Sequence, residues 1–210
     1  MLDLAATSLL VVAGACVLLF GGVIIVARLA RRALIVLGVP VALGYGLVLW
    51  WNTSHWPVND VAVLALALVV GCIIGAALRS GVAVVAFCVA AAVADLVSFS
   101  GGFTRAISDA FRAGKSGVLM HLSISFPVAG AVRPIVGIGD LVVATALFVA
   151  LMRIGYEVWE SFAVPLGGMV LALGVGLLVG GAPALPFIAV VTGAYVLTRR
   201  PKRSPPPVAG

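Results

Sequence analysis

The sequence predicts an all-α polytopic membrane protein with about seven transmembrane helices. Three observations predict it. Of 210 residues, 63% are hydrophobic and only 10% are charged. Mean hydropathy is +1.28, beyond what a soluble domain carries. Apolar runs close to the ~20 residues that cross a bilayer recur along the chain, with basic residues gathered in the short links between them. The net charge of +6 is therefore read as an orientation signal facing a lipid bilayer, with no nucleic-acid partner.

The first run, about Leu4 to Ala27, has Asp3 before it and Arg28, Arg31 and Arg32 after it. It lacks the basic leader of a cleavable signal peptide and reads as an uncleaved anchor with its N-terminus outside. A second span covers about Ala33 to Trp51, and a polar link runs from Asn52 to Asp60. Spans at about Val61–Leu78 and Gly81–Phe99 are separated only by Arg79-Ser80, so they form a tight helical hairpin.

A long stretch from about Ser100 to Arg133 follows. The fifth span is about Pro134–Met152, the sixth about Phe162–Gly180, and a short seventh runs from about Pro183 to Thr198. The chain closes on a basic tail, Arg199 to Arg203, and a Pro-rich end expected to be disordered.

With seven spans, one side collects Arg28, Arg31, Arg32, Arg79, Arg153, Arg199, Arg200, Lys202 and Arg203. The other holds only Arg105, Arg112, Lys115 and Arg133. The positive-inside rule then places the C-terminus in the cytoplasm and the long loop outside. Cys16, Cys72 and Cys88 all fall in apolar runs and read as small buried hydrophobes. Gly71-x-x-x-Gly75 and Gly176-x-x-x-Gly180 read as close helix packing.

Chemistry concentrates in two carboxylates. Asp95 lies about four residues before its span ends and Asp140 about six after its own begins, on either side of the same loop. At ~1.5 Å rise per residue, both lie ~6–9 Å below one membrane surface. Hydrocarbon does not solvate a carboxylate, so an aspartate there is costly and marks a functional site. Two in one poorly solvated place cannot both ionise comfortably, and the pair titrates as a unit. One can take a proton from water while the other donates to a carbonyl oxygen, as in aspartic proteases.

Gly137-Ile138-Gly139-Asp140 and Pro183-Ala184-Leu185-Pro186, with Asp95 upstream, resemble the GxGD intramembrane aspartyl proteases, the group of presenilin and signal peptide peptidase. The match covers about residues 81–198. The resemblance implies a presenilin-like catalytic core there, with residues 1–80 as scaffold and 199–210 as tail. It implies Asp95 and Asp140 as the catalytic pair. Gly137 and Gly139 would let a substrate backbone come close, and Pro183, Ala184 and Leu185 would shape the site. The substrates implied are transmembrane-helix proteins or peptides, with no cofactor and no metal. Two departures stand: Ala94 occupies the place of the tyrosine usual before the first aspartate, and seven spans are counted where nine are usual.

Within the long loop, Phe103 to Lys115 reads as an amphipathic helix lying on the membrane. From Met120 to Phe126 apolar and polar residues alternate strictly, the period of a strand. That strand is either a template for an unwound substrate or one arm of a loop hairpin. Gly114-Lys115-Ser116 lacks the upstream glycine of a P-loop, with Asp109 in its place, and His55 and His121 have no ligand cluster around them. Beside the protease reading stand a prepilin-peptidase type of GxGD enzyme, a proton-coupled transporter using the same aspartates, and a catalytically inactive relative.

Overall fold

Uninterrupted runs of Ala, Leu, Val and Gly in hydrocarbon must close their own backbone hydrogen bonds, and helices do so. The computed structural model of the chain follows this rule. It describes residues 2–26, 31–50, 56–102, 121–128, 131–179 and 182–201. Its helices are α1 (Leu2–Val26), α2 (Arg31–Trp50), α3 (Trp56–Ala77), α4 (Gly81–Gly101), α5 (Ile138–Arg153), α6 (Val158–Val179) and α7 (Leu185–Thr198). Strands β1 (Ser123–Val128) and β2 (Ala131–Gly137) form an antiparallel pair between α4 and α5.

The protein is an all-α polytopic membrane protein apart from this hairpin. Helices α2, α3, α4 and α6 are long and apolar enough to cross a membrane, while α7 and the described part of α1 are shorter apolar helices. The expected surface helix at 103–115, residues 52–55 of the polar link and the Pro-rich end lie outside the described residues.

Helix α5 is the centre. Leu141 and every residue from Val143 to Leu151 are buried, so this helix is enclosed by protein on all sides. Its most extensive partner is α3, and glycine sets their approach. A Cβ at Gly71 would lie 2.5 Å from the Thr145 Cβ and 2.9 Å from the Val142 carbonyl oxygen. At Gly75 it would collide with the Ala146 carbonyl and come within 2.7 Å of the Val149 Cβ. The expected small-residue seam is therefore real at this pair.

At the second pair the outcome differs. Gly176 has only Ala182 near it, 3.6 Å from its missing Cβ, and it lines a cavity; Gly180 lies outside the described residues. The close approach of α6 and α7 occurs instead at Gly168, where a Cβ would sit 2.5 Å from the Ile188 Cα. Phe20 ties α1 to this assembly, with ring centroids 5.1 Å from Phe148 and 4.7 Å from Phe162. The three cysteines are buried and free.

Three sequence expectations are corrected. The helix expected from Pro134 begins only at Ile138, because Pro134 to Gly137 continue strand β2. Hydropathy cannot separate these states; Pro134 and the β-branched Ile135 and Val136 favour the extended one. The strand expected from Met120 begins at Ser123, with His121 helical, Leu122 in a turn and Met120 outside the described residues. Asp60, expected in a link, sits inside α3, which starts at Trp56.

Candidate active site

Asp95 is placed by its helix and by one hydrogen bond to the helix beside it. Ser80 caps α4 by accepting from the Ala83 amide at 3.2 Å, and α4 then runs past Asp95 to Gly101. Its main neighbour is α7. Helix α7 opens on Pro183-Ala184, and Ala184 at its N-cap has no side-chain acceptor to offer. Asp95 supplies one from the neighbouring helix: its Oδ2 accepts the Leu185 amide at 3.1 Å. A carboxylate at the positive end of a helix is favoured, and Pro186 leaves no amide to satisfy there.

Asp140 is the third residue of α5, after the N-cap Gly137. Its carboxylate folds back to accept the Gly137 amide, the reaching-back half of a capping box. A Cβ on Gly137 would lie 3.3 Å from the Asp140 Oδ2, so the glycine leaves room for that fold-back. Gly139 is exposed and a Cβ there would meet nothing within 4 Å. The expectation of Asp140 six residues inside a span is thus replaced by a place in the first turn, since the preceding residues are strand.

These two carboxyl groups open onto one cavity of about 400 Å³. Its walls are Phe99 of α4, Pro134, Ile135 and Val136 of β2, a face of α6 from Met169 to Leu177, Val12 of α1, and Ala182, Pro183 and Ala184. Among the described residues, Asp95 and Asp140 are its only acidic or basic lining groups. Each is only partly buried.

Four of the residues singled out from sequence, Asp95, Asp140, Pro183 and Ala184, therefore meet in one place. Leu185 adjoins it through its amide, and Gly137 and Gly139 flank Asp140 without lining the cavity. Ala94 is exposed beside Asp95. Sequence reasoning missed the α6 wall, where Met169, Ala172, Leu173 and Gly176 recur at helical spacing. That signal looks the same as ordinary packing.

Strand β2 runs along the cavity with a bulge. Ile124 pairs with Val136 and Ser125 with Pro134, so Ile135 is the extra residue and its side chain lines the wall. An extended backbone beside two carboxyl groups in an apolar cleft has the parts for acid–base work on a peptide bond. Among the described residues no cluster of three or more His, Cys, Asp or Glu could hold a metal. No family model, curated protein or solved structure matches the chain.

Proposed function

We propose that the protein is an intramembrane aspartyl endopeptidase that hydrolyses peptide bonds within or beside transmembrane helices. The observation that carries this reading is the single cavity shared by Asp95 and Asp140, with Pro183 and Ala184 on its rim and β2 along its wall. In the proposed reaction one carboxylate removes a proton from water as the oxygen attacks the scissile carbonyl. The other, protonated, donates to the carbonyl oxygen. Collapse of the tetrahedral intermediate breaks the C–N bond, and the leaving nitrogen takes up a proton from the pair.

A helix hides its carbonyls, so a substrate must unwind to react. Strand addition is the natural route. Strand β1 is poorly suited to receive it, being paired with β2 on one edge and held by helix side chains on the other. We therefore place the incoming segment along β2. The basic tail is proposed to face the cytoplasm and the hairpin side to face outward, as the charge distribution implies.

Both aspartates also cap helices, so alanine variants would confound chemistry with folding. Asparagine separates them: Asp95→Asn keeps an acceptor for the Leu185 amide and Asp140→Asn one for the Gly137 amide. Each should lower cleavage of a transmembrane reporter peptide in detergent by at least about a hundredfold, with melting temperature little changed. A wild type inert on several different helices would overturn the protease reading in favour of a proton-coupled carrier or an inactive relative.

A further inference from the structure

Three polar side chains outside the cavity converge on strand β1 and the residue just before it. The Tyr45 hydroxyl of α2 donates to the His121 carbonyl oxygen at 2.7 Å. In α3, the Asn59 amide donates to the Ser123 carbonyl oxygen at 3.3 Å, and the Asp60 Oδ1 accepts the Ser125 amide at 3.0 Å. Asn59 is almost fully buried, at 3% exposure, and its side chain also bonds the Asp60 carboxylate.

The spacing is informative. Ser123 and Ser125 are two apart in β1, and in an extended chain alternate residues turn their N–H and C=O groups to the same edge; His121 stands just before the strand. The intervening Leu122 turns the other way, its carbonyl accepting the Ile138 amide at 2.9 Å. Side chains of α3 thus stand in for a missing strand along the outer edge of β1, and Tyr45 of α2 holds the residue that leads into it. Ser123 and Ser125 are buried, at 2% and 1% exposure, where a fixed partner for a backbone group counts for most.

The consequence reaches the cavity in a few bonds. Asp60 and Asn59 fix β1, and β1 fixes β2 through their register. Leu122 fixes Ile138, which opens α5 two residues before Asp140. We infer that Asn59 and Asp60, with Tyr45, are positioning residues: they set where the hairpin lies and so where Asp140 stands relative to Asp95 and to a bound peptide. This rests on the protease reading for its functional half. The anchoring half does not.

The test uses the full chain in detergent, comparing wild type with Asp60→Ala and Asp60→Asn, the second keeping an acceptor for the Ser125 amide. Hydrogen exchange over 121–128 reads the anchoring, and a transmembrane reporter peptide reads rate and cut sites. In Asp60→Ala, exchange of this segment should rise by at least about tenfold. The kcat should fall roughly ten- to a hundredfold, with cuts spread over neighbouring bonds. Asp60→Asn should restore both.

Unchanged exchange in Asp60→Ala overturns the anchoring, whatever the cleavage. Faster exchange with an unaltered rate and cut pattern overturns the positioning role. A wild type that cleaves nothing overturns the protease reading and the positioning role with it, while exchange still decides whether Asp60 holds β1. Should Asp60→Ala fail to fold, Tyr45→Phe removes one contact of the same edge, and unchanged exchange and cut pattern in it count against the inference in the same way.

Discussion

Tyr156, in the turn between α5 and α6, shows how one buried polar group can hold a helix end. It is 4% exposed, and its hydroxyl donates to the Arg199 carbonyl oxygen at 2.6 Å. Burial, and then the nearby Glu160 carboxylate, push its phenol above the ordinary range. A folded-state pKa raised above the unfolded value of about 10 means stability present in full below that pH and lost as pH climbs past it. Melting curves should therefore show an alkaline fall above about pH 10 that Tyr156→Phe lessens, at a cost near 1 kcal/mol at neutral pH for the lost hydrogen bond. At this scale the sequence was readable where a residue was out of place. Asp95, Asp140 and the prolines stood out because hydrocarbon makes them costly. Asn59 and Asp60 did not, because they looked like ordinary link residues. Pro57, in the first turn of α3, was the available cue that a helix had begun before them.

Among the elements, the α3–α5 pair is acutely sensitive to side-chain size. Gly75→Leu forces a branched chain against the Ala146 carbonyl and the Val149 side chain, neither of which can move without shifting α5. It should destabilise the protein by about 1–3 kcal/mol or more. Gly44→Ala should be neutral, since nothing lies within 4 Å of its missing Cβ. Thermal unfolding of the two variants in one detergent checks the contrast. The seam at Gly71 and Gly75 was legible from spacing, whereas Gly176 followed the same spacing and faces the cavity instead. Four-residue spacing says that one helix face is small. It does not say what lies opposite, which depends on tertiary arrangement. The β2–α5 boundary was hidden for a related reason, since Pro134 to Gly137 are as apolar as the helix they precede.

For the whole molecule, hydropathy sufficed to find the long helices among the described residues and to give the class, since each apolar run must satisfy its own backbone. It did not reveal which helix is central. Helices α2 and α4 carry many exposed large apolar side chains, among them Val36, Leu43, Val82 and Val89, whereas α5 exposes almost none. The proposed orientation is decided at this scale too. A protease-sensitive tag at the C-terminus should stay protected in right-side-out vesicles and be cleaved in inverted ones, and the opposite pattern would reverse the assignment.

The enclosure of α5 also bears on how the chain is made. Its 16 residues span only ~24 Å at 1.5 Å per residue, with a carboxylate in the first turn and a strand leading in. Released alone into lipid, such a segment would expose both the charge and an unsatisfied strand edge. Helix α3 carries the groups that cover the strand and emerges from the ribosome well before it; α6 and α7, which complete the sheath, come after. Insertion of α5 is therefore a folding event as much as a partitioning one, with its residence in the bilayer secured only once the last two helices have joined it.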